Sequence, residues 1–525
     1  MKTIQIKNKL IYGAAGLFIA ALFSVVSCKK VQSSTTSALS LTNQTDTIPN
    51  TGGTISFSFT SNSSWTIDTA GFGWLTVSQI SGNNGSSTIH CTAAKDSTGA
   101  SHSVQLYVTF ANGQGRQVTV YQDPVIYPSF NTSPVAPDNT GMGSTAAQLL
   151  SNIKLACNLF NTFEAHQTST YIPYTIGSVN GETAWGSPYT TQAEIDMMKS
   201  AGFNAIRIPC AWHIHMNPAT GVIDTAWLGR VKQVVQYCVN DNMYVLLNCH
   251  SDDGFLDCGA TGATEDTVKA IQKAIWEQVA TTMRDFDEHL MFAGANEPAN
   301  ADYRYGAKGT PNPNVTQQQA VATLWQYLQI FINAVRSTGG KNAYRTLVVQ
   351  GFSGSGDLID AYTPNGIPGP FSDQVANQLA IEYHYYTPYQ FCILGDGTPS
   401  SIEWCFWGAN YHTSNPALLQ YNCQANEEGY MDSTVNYTGK TYVSQKMPVL
   451  IGEYDCQGHN NTLTGYTQDS TLSRRSQEHF RAHFIEAGKR NNIPVFLWAS
   501  DVFDRSNNVV GDPILLDSLQ AASGQ

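Results

Sequence analysis

The chain has 525 residues, more than a single hydrophobic core uses, so two or three domains are expected. Only 13% of them are charged against 11% aromatic, and the formal charge is −12, which excludes the basic footprint of a nucleic-acid binder. This balance suits an exported protein that handles neutral ligands such as sugars.

In chain order, Lys2, Lys7 and Lys9 precede the apolar run "LIYGAAGLFIAALFSVVS", which marks residues 1–27 as a signal peptide. Its end, "VVSC", resembles a bacterial lipoprotein signal, and the resemblance implies cleavage before Cys28 and lipidation of that thiol. An ordinary secretory signal with an unmodified Cys28 is the alternative. Lipidation implies a membrane as partner, the cell-surface or periplasmic face of the bacterial outer membrane, with residues 28–39 as a tether. No later stretch is apolar for long enough to span a bilayer.

Residues 40–123 read as short alternating strands, "TISFSFTS", "SWTIDT", "STIHCTAA", "SVQLYVTF" and "RQVTVYQD", punctuated by "SGNNGSS", "DSTGAS" and "ANGQG". The pattern predicts a small all-β, immunoglobulin-like sandwich. Trp65 and Trp74 offer stacking faces for sugars, although tryptophans in so small a sandwich more often serve its core. On "SSWTIDT", "GWLTVSQISGNNGSSTIHCTAAKDSTG" and "GRQVTVYQD" the segment resembles the BACON domain that precedes many Bacteroidetes carbohydrate-active enzymes, which implies a spacer. Residues 124–144 carry four prolines in "PVIYPSFNTSPVAPDNTGMG" without apolar periodicity and read as a stiffened linker.

From 145 to 525, eight apolar runs alternate with segments of helical period. The runs are "IKLACNLF", "NAIRIPC", "YVLLNCH", "LMFAGAN", "TLVVQG", "LAIEYHYY", "VLIGEYD" and "VFLWAS". Continuous apolar runs between helices predict buried parallel strands, and eight of them close an α/β fold of the (β/α)8 TIM-barrel type. Beyond Cys28, ten cysteines show no zinc-ligand spacing. Cys157, Cys210, Cys238 and Cys249 lie in apolar runs and read as small buried hydrophobes. No disulfide pairing is assigned.

Chemistry in such barrels sits at the carboxyl ends of the strands, and polar residues collect there. Arg207 closes the second run, His250 the third, Asn296 and Glu297 the fourth, His384 and Tyr386 the sixth, Glu453 the seventh and Trp498 the eighth. A lone His or Arg beside a core is as often structural, but joint occurrence at one mouth points to a site. Two facing carboxylates are what glycosidic cleavage needs, one protonated to donate and one ionised to attack. Arg207 would keep Glu453 ionised, Asn296 can bind a sugar 2-OH, His384 and Tyr386 can fix the nucleophile, and Trp498 offers a face for a pyranose.

These residues resemble glycoside hydrolase family 5, over "IKLACNLFNTFEA", "MMKSAGFNAIRIPCAWH", "ANEP", "YHYYTPY" and "VLIGEYD" in that order. The resemblance implies Glu297 as acid/base and Glu453 as nucleophile, supported by Arg207, His250, Asn296, His384, Tyr386 and Trp498, in a double displacement that retains the anomeric configuration. Ser251 stands where many relatives have a second histidine, and "FLWASD" lacks the usual aromatic or Asn, which leaves subsite preference open. Asn161, Glu164, Trp185, Trp212, His215, Asp252 and Tyr389 are candidate substrate-binding residues. "NLFNTFEA" and "HYYTPYQF" are most similar to endo-β-1,4-glucanases, including those that accept xyloglucan. Endo-β-mannanase, mixed-linkage glucanase and a non-catalytic surface glycan-binding lipoprotein are the alternatives. The resemblance implies a monomer acting on a polysaccharide with neither metal nor cofactor. An esterase or peptidase is disfavoured by the lack of G-x-S-x-G and HExxH motifs.

Overall fold

Alternation in the N-terminal region produces two sheets, because every second residue of each long strand faces inward. Gly53–Ser61, Gly85–Ala93 and Leu75–Val77 form one antiparallel sheet; Thr45–Ile48, Gly115–Gln122, His102–Phe110, Trp65–Ile67 and Ser81–Gly82 form the other. Phe57, Phe59, Trp65, Ile89, Leu106 and Val118 fill the space between them. Trp65 is thus a core residue, 2% exposed, while half-buried Trp74 stacks on His102 at 5.2 Å. This is a computed structural model, and it describes residues 45–50, 52–68, 73–95, 102–111, 113, 115–122, 127–250, 255–298, 315–355, 372–395, 403–445, 447–498 and 502–525. Cys28, Ser251 and Asp252 lie outside the described residues.

All eight apolar runs are strands of one closed parallel barrel. They are β1 (Ala156–Asn158), β2 (Ala205–Ile208), β3 (Tyr244–Asn248), β4 (Leu290–Ala293), β5 (Leu347–Ser355), β6 (Leu379–Tyr385), β7 (Val449–Tyr454) and β8 (Val495–Leu497). β8 pairs with β1 through Ala156↔Phe496 and Cys157↔Leu497, which closes the ring. Inward positions alternate small with large: Ala156, Ala205, Ala293 and Ala380 interleave with Leu246, Met291, Val348, Leu450 and Phe496. That mixture fills a narrow interior. Leu149 and Leu150, from the helix Ala146–Ser151 capped by Thr145 and Gln148, join this inner cluster. Outward side chains pack under the helices Gln192–Ser200, Thr225–Asn240, Ala263–Met283, Gln317–Ser337 and Thr467–Arg490.

Two further helices differ in how well the sequence marks them. Glu428–Thr441 buries only Met431, Val435 and Thr438, too sparse a stripe to read among its Thr, Gly and Asn residues. Pro513–Ser523 begins at Pro and is capped by Asp512, whose side chain accepts from Leu515 N at 3.1 Å.

The proline-rich segment differs from a free linker. Tyr127 donates to Pro218 O at 2.9 Å, and Glu277 accepts from Phe130 N at 2.6 Å and from Ser129 Oγ at 3.0 Å. Val135–Pro137 pairs in parallel with Gly339–Gly340. Gly339 has φ +72°, and a Cβ there would lie 1.8 Å from Val135 O, so only glycine lets the two backbones meet. Proline content suggested a stiffened linker, and the hydrogen-bonding groups between the prolines fasten it to the barrel. The ten described cysteines are buried thiols, as their apolar settings imply.

Candidate active site

Parallel strands end together, so the last side chains of β1 to β4, β6 and β7 converge on one mouth. Arg207, fully buried on β2, is the hub. Its Nε stands 2.9 Å from Glu382 Oε1, and one terminal nitrogen donates to Glu453 Oε1 at 2.7 Å and to Asn158 Oδ1 at 2.9 Å. The other terminal nitrogen donates to Asn296 Oδ1 at 2.5 Å. Asn158 in turn donates to Gly452 O at 2.9 Å, joining β1 to the strand that bears Glu453.

His384 on β6 lies between the carboxylates. Its Nδ1 is 2.8 Å from Glu297 Oε1 and 3.6 Å from Glu453 Oε2, while Nε2 is 3.1 Å from Glu382 Oε1. Tyr386 Oη donates to Glu453 Oε2 at 3.2 Å. One carboxylate oxygen each of Glu297 and Glu453, together with a ring nitrogen of His384, lie within 4.8 Å of one another. Glu297 holds a φ of +43°, in the left-handed region, which costs a non-glycine residue roughly 1–3 kcal/mol. Its N–H donates to Gln350 Oε1, and Pro298 follows it, so the backbone is fixed in a conformation it would not otherwise adopt. Neighbouring His250 sits 3.5 Å from Asn296 Nδ2 and 3.4 Å from Asn248 Nδ2.

Burial works against charge on His384, but the charge of Glu453 and hydrogen bonds to Glu297 and Glu382 outweigh it and lift the imidazole to about 9. It is an imidazolium at neutral pH. Glu382 is likewise desolvated, yet Arg207 and His384 hold its carboxyl below the usual range. Arg207 is raised in the same way: Glu382 and Glu453 overcome its burial. Two cations therefore face three carboxyls, and the cluster is neutral when one carboxyl carries a proton. The Tyr386 phenol is pushed well above its usual range by burial and by Glu453, so it acts as a donor.

The remaining candidates divide. Trp498 is half-buried, follows β8, donates its backbone N–H to Tyr454 O at 3.0 Å and leans on Phe160 with centroids 6.1 Å apart. Asn161 (φ +51°) and Thr162 donate their N–H groups to buried Glu164, whose carboxyl burial lifts to about 7 against those bonds, with Glu453 adding to the rise. Glu164 thus shapes the loop after β1. Trp185 and Tyr389 are exposed, at 47% and 57%.

Trp212 and His215 do not reach a cleft. Trp212 is 0% exposed and donates to Asn248 O at 2.9 Å; His215 is also 0% exposed and stacks on Trp227 at 3.8 Å, burial depressing its pKa to about 3. Their place after β2 suggested a subsite; the short helical turn His213–His215 folds both into the core instead.

Four residues of the network escaped sequence reasoning: Asn158, Asn248, Gln350 and Glu382. Each is a polar residue inside an otherwise apolar strand. Glu382 and Asn248 stand two residues before His384 and His250, on the same strand face, and that spacing was the readable signal.

A closed parallel barrel with a glutamate pair held at the carboxyl ends of β4 and β7 is the architecture of a glycoside hydrolase. The chain belongs to glycosyl hydrolase family 5: residues 165–504 match the family model "Cellulase (glycosyl hydrolase family 5)", and residues 32–123 match the viral BACON domain. Over 379 residues it is 31% identical to a xyloglucan-specific endo-beta-1,4-glucanase of Bacteroides ovatus, covering 71% of this chain and 69% of that protein. The solved Bacteroides ovatus GH5 xyloglucanase bound to a XXXG heptasaccharide superposes with a TM-score of 0.63 at 25% identity, covering 93% of this chain and 100% of the other. A xyloglucan-specific beta-1,4-glucanase from a ruminal metagenomic library, bound to XXLG, gives 0.62 at 32% identity, covering 73% and 96%.

Proposed function

We propose that the chain cleaves β-1,4-glucan backbones internally, xyloglucan first and cellulose-type glucan second, by double displacement with Glu297 as acid/base and Glu453 as nucleophile. The carrying observation is that one oxygen of Glu297 and one of Glu453 lie within 4.8 Å of each other, on the short side of the two arrangements known for such pairs. Inversion needs room for a water and about 6.5–9.5 Å between the carboxyls, whereas direct attack needs about 5–5.5 Å.

The charge balance supports the roles. Glu382 bridges both cations and is fully buried, and Glu453 is paired directly with Arg207; Glu297, whose side chain is 19% exposed, is the carboxyl left to carry the proton. It donates that proton to the leaving glycosidic oxygen while Glu453 attacks the anomeric carbon. Esterification of Glu453 removes a negative charge beside Glu297, which lowers its proton affinity and turns it into the base for the incoming water. Asn296, held by Arg207 and Asn248, presents its amide to the sugar 2-OH. Trp498 supplies the apolar platform. Xyloglucan is favoured because similar proteins are specific for it.

On the lipoprotein-like signal, Cys28 carries a lipid that anchors a monomer to the outer membrane. Metabolic labelling with a radioactive fatty acid tests this, since a Cys28→Ser chain should take up none. The activity is tested by digesting xyloglucan, carboxymethyl cellulose, mixed-linkage glucan and mannan, and following the anomer first released by NMR. Short β-configured oligosaccharides from one glucan, absent with Glu453→Ala, are expected. A polymer that is bound and never cut would replace this reading with a glycan-binding protein.

A further inference from the structure

Beyond the mouth, one cluster of ligating side chains among the described residues has no part in the chemistry above. Glu403 and Cys405 lie in the long connection after β6, and His459 in the connection after β7. All three are buried, at 1%, 0% and 1% exposure, and a carboxylate oxygen, the Sγ and a ring nitrogen lie within 4.8 Å of one another. Cys405 Sγ is 3.6 Å from Glu403 Oε1. Two ligands of a tetrahedral zinc, bound at about 2.0–2.3 Å, stand about 3.3–3.8 Å apart, so this pair already has the spacing of neighbours on one ion.

The second oxygen, Glu403 Oε2, is buried with no hydrogen-bond partner. A carboxylate so placed, touched by a weak thiol donor on one side and nothing on the other, calls for a cation. The surroundings fix the ligands, and Glu403 Oε2 is at hand for the fourth position. Cys405 N donates to Tyr421 O at 2.8 Å and its carbonyl accepts from Ser473 Oγ at 2.7 Å; Phe406, Leu418 and Leu463 pack about it, and the Phe391 ring tilts over His459 with centroids 5.7 Å apart.

We propose that Glu403, Cys405 and His459 bind one zinc ion. A thiolate, an imidazole and a carboxylate together suit a borderline-soft ion that accepts tetrahedral geometry, and they disfavour calcium or magnesium, which take oxygen ligands. Enclosure makes the ion a structural clamp and not a second reaction centre. It ties the connection that follows His384 and Tyr386 to the one that follows Glu453, fixing two walls of the mouth. The ligands' wide separation in sequence is why spacing gave no zinc signal.

The test uses the full chain, purified in detergent from cells supplied with zinc. Elemental analysis after desalting should find about one zinc per chain, and a strong chelator should remove it while lowering the unfolding temperature. Cys405→Ser and His459→Gln should each lose the metal, whereas Cys423→Ser, a buried thiol outside the cluster, should keep it. Should those variants fail to fold, cobalt loading of the wild-type chain decides, because a thiolate ligand gives a charge-transfer band in the near ultraviolet. A folded wild-type chain with no retained zinc and no such band overturns the proposal. So does full zinc retention in Cys405→Ser.

Discussion

Glu382 never meets the substrate in the scheme above, yet it helps to hold the charge on His384, which lies between the two glutamates that do. Glu382→Gln keeps the shape and removes one negative charge, 3.1 Å from His384 Nε2 and 2.9 Å from Arg207 Nε, at a site with 0% exposure. At an effective dielectric of about 20 and charge centres about 4 Å apart, the lost attraction to the imidazolium is about 4 kcal/mol. Relaxation and the two remaining glutamates offset some of it, leaving a loss of about 2–3 kcal/mol for the charged ring. His384 then titrates below the value of about 9 that it has in the wild-type chain. A folded-state pKa above the unfolded value of about 6.5 stabilises fully below pH 6.5 and loses that contribution as pH climbs to the folded value. The wild-type chain therefore loses its contribution between about pH 6.5 and 9, whereas the variant has little to lose. Denaturant unfolding across that range should show a stability gap between the two chains that is widest near pH 6 and narrows by about 2–3 kcal/mol at pH 9. Turnover number should fall more than KM changes. A gap that is constant, or that widens with pH, refutes the assigned charge on His384.

The glutamate pair makes its own prediction: Glu297→Ala and Glu453→Ala should each lose at least about 10³-fold in turnover, and azide on an activated aryl β-glycoside should give the β-azide with the Glu297 variant and the α-azide with the Glu453 variant. Trp498→Ala should raise KM with the fold intact, while Trp212→Phe should lower stability by about 1–2 kcal/mol and leave KM unchanged, since its N–H bond to Asn248 O is buried. A Cβ on Gly452 would lie 1.9 Å from Glu382 Oε1, so Gly452→Ala should destabilise by about 2–4 kcal/mol. Adding Glu382→Ala to it should recover part of that loss, which a double-mutant cycle reads as coupling.

The barrel was legible because burial on both faces forces continuous apolar runs, and each of the eight runs became a strand. Arg207, Glu297, His384 and Glu453 were legible for the complementary reason, since a charged residue ending such a run needs a purpose. Glu382 and Gln350 were hidden inside their runs, where one polar residue looks like a tolerated exception. Their partners come from strands far away in sequence, and only closure of the barrel brings them together. Trp212 and His215 misled because sequence gives the strand end but not the direction in which the following turn folds. The zinc cluster escaped for the same reason as Glu382: its ligands come from two separate connections.

If Cys28 anchors the chain as proposed, the lead-in segment has a mechanical consequence. Tension passing along the chain reaches Tyr127, the Glu277 hydrogen bonds and the Val135–Pro137 pairing with Gly339–Gly340 before it reaches β1. Those contacts lie on the helices and connections outside the barrel, so the pull is spread over the outer layer. The ring of strands is spared, and with it the spacing of the two glutamates, when the protein is tugged by a long polymer.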